Sequence, residues 1–214
     1  MKNILKKTLA LASALVLTTA ASQASLFHVN INTGALNLAP ASLNAPFSLD
    51  FQFNDGGVLG NNTATIYNFT YNGGAATGSA ITLGGALGNI GSTVTMNNSS
   101  AFQELYQTFT PGATLGFDVS LTQNLDGLTP DSFSASILDN NLFNIPTTGL
   151  GDTLVHADIS TVSPLTAANI DHSSGTGNYV GVDVTSVPEP TTACVGFGLA
   201  MVGAIFRRRR NAAK

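Results

Sequence analysis

Alternating apolar and polar residues dominate the chain between its two ends and predict short β-strands. Phe47 to Phe53 places four large apolar residues on one face of an extended segment, and Leu115 to Leu121 repeats the pattern. Side chains of a strand point alternately to opposite faces, so each segment would bury one face and expose the other. Phe133 to Ile137, Val155 to Ile159 and Val180 to Val184 alternate in the same way.

Thr63 to Tyr71 alternates as well and predicts a further strand. The pattern places four residues on one side of it: Thr65, Tyr67, Phe69 and Tyr71. Phe102 to Phe109 fits either a strand or a helix. Glycine, asparagine and aspartate separate these segments, and about eight to ten short strands with turns between them are typical of an antiparallel sandwich or barrel. We expect an all-β fold, an antiparallel β-sandwich like a jelly roll.

The N-terminal segment predicts a secretory signal peptide. Three lysines precede an apolar run from Leu9 to Leu17, and small residues stand at Ser22 and Ala24. A basic start, a short apolar run and small residues before the cut are what a signal peptidase recognises. We expect cleavage between Ala24 and Ser25.

The C-terminal segment predicts a processing signal with a transient membrane segment. In order it contains Pro188, Glu189 and Pro190, then an apolar run from Ala193 to Phe206, then Arg207, Arg208, Arg209 and Arg210. The run of 14 residues would span about 21 Å as a helix, against a hydrocarbon core of about 30 Å. Basic residues beside a span stay cytoplasmic, so the preceding domain would lie outside.

This arrangement resembles the PEP-CTERM sorting signal of Gram-negative bacteria, in which Pro-Glu-Pro, a short membrane segment and an arginine cluster follow one another. Pro188, Glu189 and Pro190 match the motif, and the arginines match the basic cluster. The resemblance implies processing by an exosortase, a polytopic membrane enzyme, in a host that makes extracellular polysaccharide. It also implies export across the inner membrane, transient anchoring there, and delivery to the outer surface or extracellular space. The alternative is an ordinary anchor with a fortuitous Pro-Glu-Pro, which the short span fits poorly.

Three parts are therefore predicted. Residues 1–24 form the signal peptide, residues 25–186 the secreted β-sandwich, and residues 187–214 the sorting tail with its single membrane-directed helix. The stretch from Asp131 to Thr148 is similar to the core of an uncharacterised, β-rich group of PEP-CTERM proteins, which implies kinship of fold.

Charge is distributed unevenly between these parts. Every lysine and arginine lies in the two ends, so residues 25–186 carry ten aspartates, one glutamate and a formal charge of −11. A domain without lysine or arginine lacks the cationic side chains that bind nucleic acid through its phosphates. It would also repel acidic polysaccharide unless a divalent cation bridged them.

Catalysis has little support in the sequence. Paired carboxylates about 5–10 Å apart could hydrolyse glycosides, and most candidates lie on the exposed faces of strands or beside turns: Asp50, Glu104, Asp118, Asp139 and Asp158. The chain has no tryptophan to stack on sugars, and no serine stands in a Gly-x-Ser-x-Gly elbow. His156 alternates with Val155 and Ala157, so we expect it on a solvent face. We expect a protein that is not an enzyme.

Calcium is a candidate ligand, because clustered aspartates without cations would gain from it. The candidate ligands stand in turns: Asp55, Asp126, Asp131, Asp139 and Asp152. Turn formation alone also accounts for aspartate at such positions.

The function that these observations favour is that of an exported, non-enzymatic protein of the cell surface or extracellular matrix. Signal peptidase and exosortase are the expected partners, with extracellular polysaccharide as a further candidate and nucleic acid excluded. The alternative is a carbohydrate-binding module on a jelly-roll scaffold, with or without calcium. It would need a solvent-facing aromatic platform drawn from the four tyrosines: Tyr67, Tyr71, Tyr106 and Tyr179.

Overall fold

The computed structural model describes residues 24–38, 44–57, 60–124, 129–148, 152–159, 165–174 and 180–187. These residues form two antiparallel sheets packed face to face, which confirms the predicted all-β sandwich.

Thirteen strands are present in the described residues. In chain order they are β1 (Ala24–Asn32), β2 (Phe47–Asn54), β3 (Ala64–Thr70), β4 (Ala75–Ala76), β5 (Ile81–Leu83), β6 (Leu87–Gly88), β7 (Val94–Met96), β8 (Phe102–Thr110), β9 (Thr114–Thr122), β10 (Asp131–Leu138), β11 (Val155–Ile159), β12 (Asp171–His172) and β13 (Val182–Ser186). A five-residue helix, α1 (Gly34–Leu38), follows β1, and a 3-10 turn (Ala167–Asn169) precedes β12.

One sheet has six strands in the order β13-β1-β9-β3-β7-β6, and the other has seven. The order in the second is β12-β11-β10-β2-β8-β4, with β5 also paired to β8. β1 and β3 lie in the six-stranded sheet and β2 lies in the seven-stranded sheet, so the chain crosses from one layer to the other and back.

Phenylalanine fills the core between the layers. Phe51 of β2 packs edge-on against Phe117 of β9, with ring centroids 5.3 Å apart and an angle of 89° between the rings. It also stacks on Phe133 of β10 at 6.1 Å. Each such side chain contributes about 1.5–3 kcal/mol by leaving water. The alternation that predicted β2, β9 and β10 thus arises from the burial of their apolar faces.

The structure corrects the prediction for β3. Thr65, Tyr67, Phe69 and Tyr71 do not share one side, because Ala64 and Ile66 face the core at the start of the segment whereas Phe69 and Tyr71 pack against the core at its end. The pairing of β3 with β9 shifts between Tyr67 and Thr70, where Asn68 adopts a φ of 56°. That irregularity turns Phe69 and Tyr71 towards the core.

The segment from Phe102 to Phe109, which fitted a strand or a helix, is strand β8. Its inward face carries two buried glutamines, Gln103 and Gln107. Their side chains bond to loop backbone: Gln107 accepts from the N–H of Ile90 at 3.0 Å. Polar residues on the buried face weaken the usual strand pattern, which explains the ambiguity.

Candidate functional site

The outer face of the seven-stranded sheet contains a pair of carboxylates. β2 turns its phenylalanines inward, so Asp50 and Gln52 point to the opposite face. In register, Asp50 lies between Tyr106 of β8 and Ser136 of β10, and Gln52 lies beside Glu104 of β8. Asp50 is nevertheless only 1% exposed, so the expected exposed placement does not hold for it.

The side-chain amide of Gln52 bridges the two acids. Its Nε2 donates to Oδ2 of Asp50 at 2.9 Å and to Oε1 of Glu104 at 3.3 Å. The second oxygen of Asp50, Oδ1, is buried and has no hydrogen-bond partner in the described part of the chain.

This environment favours the protonated acid. Burial, followed by the nearby charge of Glu104, raises the pKa of Asp50, and the hydrogen bond from Gln52 opposes both; the net result is a rise from 3.8 to about 7. Burial also raises the pKa of Glu104. The cluster can therefore hold a proton near neutrality, but the acid that holds it is shielded from solvent.

The other carboxylate candidates lie elsewhere. Asp118 is on the outer face of the six-stranded sheet, where its Oδ1 lies 2.7 Å from Nδ1 of His28. Asp158 lies 3.1 Å from Nε2 of His156, and the half-buried His156 is on the outer face, as expected. Asp139 closes a turn, and hydrogen bonds from backbone N–H groups, first that of Phe143, lower its pKa.

An apolar strip borders the carboxylate pair. It consists of Ile81, Leu83, Phe102 and Tyr106, and its members come from β5 and β8. Ile81 is opposite Tyr106 and Leu83 is opposite Glu104 in the register, and the two aliphatic side chains are 50% and 52% exposed. The outer face thus combines exposed apolar surface with hydrogen-bonding groups.

A buried polar network at one end of the sandwich contains two of the calcium candidates. Nδ2 of Asn98 lies 3.0 Å from Oδ1 of Asp55, 2.9 Å from Oδ2 of Asp131 and 2.6 Å from Oδ1 of Asn61. Asn62 donates to the same oxygen of Asp131 at 2.8 Å. A neutral amide nitrogen therefore occupies the position that a cation would take between these oxygens.

The remaining calcium candidates are not part of this network. Asp139 belongs to its own turn, and Asp152 accepts from the N–H of Thr147 at 3.3 Å. Asp126 lies outside the described residues. Among the residues that the structure describes, no group of three or more His, Cys, Asp or Glu side chains could hold a metal ion. Calcium binding stays a prediction.

The described residues next to the two predicted processing sites lie at the same end of one strand pair. β13 is antiparallel to β1, with Phe27 opposite Ser186, and the N–H of Val187 donates to the carbonyl of Leu26 at 2.9 Å. Ala24 and Ser25 begin β1, and Ser25 Oγ donates to the carbonyl of Leu165 at 2.9 Å. The chain therefore enters β1 and leaves β13 side by side.

The residues beyond this strand pair lie outside the described part of the chain. They include Pro188, Glu189, Pro190 and the four arginines. In the described ranges, no helix is both long and apolar enough to cross a membrane.

The fold is an antiparallel β-sandwich, and its last described strand leads into a C-terminal segment with the sequence pattern of a processing signal. Residues 186–210 match the family model of the PEP-CTERM protein-sorting motif. The chain thus carries a PEP-CTERM sorting motif, as the resemblance implied, and this motif implies processing by an exosortase. The motif implies export and a transient membrane anchor at the C-terminal end. No curated protein and no solved structure matches the chain, so the kinship inferred for Asp131 to Thr148 stays a prediction.

Nothing in the sequence pattern indicated the bridge between Asp50 and Glu104 or the network around Asn98. Asp50 and Glu104 alternate on their own strands, but their adjacency depends on β2 pairing with β8, strands about fifty residues apart. The register between those strands is the missing information.

Proposed function

We propose that this chain is a non-enzymatic protein of the cell surface or extracellular matrix in an exopolysaccharide-producing Gram-negative bacterium. Signal peptidase trims its N-terminus after Ala24, and exosortase processes its C-terminal tail. The match of residues 186–210 to the sorting motif is the observation that carries this proposal.

The carboxylate pair supports a structural or binding role over hydrolysis. A general acid must come within hydrogen-bond reach of the atom that it protonates. Asp50 has the raised pKa of such an acid, but its 1% exposure keeps a substrate from its oxygens. Its partner Glu104 is tied to the same glutamine amide.

Processing is tested in a host that bears an exosortase. The full chain is compared with a variant truncated after Val187 and with Glu189→Ala, and the intact mass of each exported form is measured. We expect the full chain to lose both ends and Glu189→Ala to retain the tail. Identical maturation of the full chain and Glu189→Ala, or maturation that persists when exosortase is deleted, contradicts the proposal.

A second candidate function, binding of neutral glycans, is favoured by the outer face of the seven-stranded sheet. Sugars offer apolar faces and hydroxyl groups, and the apolar strip with its neighbours Glu104 and Gln52 offers complements to both. An uncharged glycan suits a domain without lysine or arginine better than an acidic one.

This second candidate is tested by titrating neutral oligosaccharides with and without calcium. Tyr106→Ala should abolish binding, whereas Tyr67→Ala, a half-buried tyrosine on the outer face of the other sheet, should leave it unchanged. Loss of binding in both variants, or in neither, argues against a site on this face.

A further inference from the structure

The C-terminal end of β13 holds the beginning of the sorting motif inside the sheet. The matched region starts at Ser186, which is also the last residue of β13. Val187 still donates to Leu26 at 2.9 Å. Pro188 has no N–H, so its nitrogen cannot continue the ladder to β1. The folded sandwich therefore reaches the motif with no spacer between them.

β13 is held firmly at its beginning and lightly at its end. Near the beginning, Asn32 donates to Gly181 at 2.9 Å on one side, and Val182 donates to Ser173 at 3.0 Å on the other. Val182 is buried. Local opening starts where few apolar groups are buried and one edge is unpaired. Among the described residues, this is the end of β13 next to the motif, where no strand pairs with its outer edge.

The end of β13 is partly exposed. Val184 is half-buried and packs against the core, whereas Thr185 and Ser186 are exposed. β13 lies at the edge of the six-stranded sheet, with β1 as its sheet neighbour. On the other side, the Oγ of Ser186 accepts from the N–H of Ala167 at 3.1 Å.

An enzyme that cuts near a motif takes up the residues before it as well. Extended peptides commonly bind by adding a strand to the enzyme or receptor, with their main-chain groups paired to the partner. Residues whose N–H and C=O groups already pair with β1 cannot pair with a second strand on that edge.

We propose that the end of β13, Val184 to Val187, is part of the segment that the processing enzyme takes up, and that it leaves β1 to do so. The partner is a membrane enzyme that binds an extended main chain, and β13 exchanges its neighbour β1 for that enzyme. The inference rests on the processing proposed above, and it places the recognised segment partly inside the folded domain.

Two disulfide staples on one strand pair test this inference. His28 opposes Thr185 near the motif, and Asn30 opposes Asp183 two residues further away. Both pairs are on the outer face, and antiparallel partners lie about 4.5–5.5 Å apart at Cα, within the about 4.4–6.8 Å that a disulfide spans. Cys194→Ser serves as the parent chain, because Cys194 is the sole cysteine.

The readout is the rate at which the exported full chain loses its tail in the exosortase-bearing host. His28→Cys/Thr185→Cys should be processed at least about tenfold more slowly, because the staple prevents the end of β13 from opening. Each hydrogen bond that must open changes the rate by roughly two- to tenfold. Reductant should restore its rate. Asn30→Cys/Asp183→Cys, which leaves Val184 to Val187 free to separate, should match the parent.

Other outcomes overturn the inference. Parent-like rates in both stapled chains would mean that the enzyme takes the motif with β13 still paired. Equal slowing in both stapled chains would mean that the released segment is not confined to Val184 to Val187 but extends to Asp183 or to residues before it. If the parent chain is never processed, both the proposed function and the inference fail. That result differs from the first two, in which the parent is processed and only the inference fails.

A linker variant gives an independent measure. Gly-Gly-Ser inserted between Val187 and Pro188 moves the motif away from the strand without changing the fold. The insertion should restore processing in the chain stapled by His28→Cys/Thr185→Cys. It should also raise the processing rate of the parent by roughly two- to tenfold for each hydrogen bond that no longer has to open. An unchanged rate in both would contradict the requirement for strand release.

Discussion

Replacing Asp50 with asparagine should stabilise the protein at neutral and alkaline pH. Asp50 is buried, its Oδ1 has no partner in the described part of the chain, and Glu104 adds like charge nearby. Asparagine has nearly the same shape and its Oδ1 can still accept from Gln52. The substitution therefore removes an ionisable group and keeps the contacts.

The magnitude follows from the shift in pKa. In the folded protein the pKa of Asp50 is about 7, against 3.8 as a reference for the unfolded chain. Between these values the folded state keeps a proton that the unfolded state has lost, so the free energy of unfolding falls as pH rises. The loss is about 1.4 kcal/mol per pH unit and accumulates to about 4 kcal/mol. Below pH 3.8 both states are protonated and the penalty vanishes.

The assay is urea unfolding of the purified protein at a series of pH values from 4 to 8, followed by far-ultraviolet circular dichroism because the chain has no tryptophan. The quantity compared is the free energy of unfolding of Asp50→Asn minus that of the wild type. It should be near zero at pH 4, rise through pH 5 and 6, and level off above pH 7.

Two matched variants separate the causes. Asp183→Asn removes one exposed carboxylate from β13 and serves as the control for the loss of a single negative charge at the surface. Glu104→Gln removes the like charge, so the wild-type penalty should shrink while the part due to burial stays. A difference between Asp50→Asn and wild type that is constant with pH, or one that falls as pH rises, would refute the reasoning.

Three further predictions concern the core, the buried network and the mature ends. Phe51→Ala should lower the free energy of unfolding by about 3–5 kcal/mol in urea titrations, because it empties the centre of the phenylalanine cluster. Asn98→Asp places a carboxylate against Asp55 and Asp131, so it should cost about 3 kcal/mol or more at pH 7 and less at pH 4; an equal cost at both would contradict the network. The exported form should resist trypsin even when unfolded, since residues 25–186 lack lysine and arginine; tryptic fragments on a gel would show that a basic end is retained.

The sequence predicted the layers better than their pairing. In β2, β9 and β10, large apolar residues at every second position are buried by the opposite sheet. The two-residue period in the sequence therefore predicts directly which face of each strand is buried. β3 departs from this, because the shift at Asn68 is a local twist that alternation alone does not encode. Positive φ favours asparagine and glycine, but many asparagines in this chain lie in ordinary turns.

The candidate site was less predictable still. Asp50 occupies an outward position, which predicts exposure, yet its side chain is enclosed by its surroundings on the outer face. Burial of an outward residue depends on what lies across several strands, and those strands are distant in the sequence. The same is true of Asn98, whose side chain joins a loop before β8 to Asp55 after β2 and Asp131 in β10.

The pairing of β1 with β13 links the fold to processing more closely than the two terminal signals could indicate separately. An antiparallel pair made of the first and last strands places the start of one beside the end of the other, here Leu26 beside Val187. The described residues that adjoin the two terminal signals therefore lie at one end of the sandwich. In the strand release proposed above, the hydrogen bonds that pair β13 with β1 at this end both close the sandwich and limit access to the processing site.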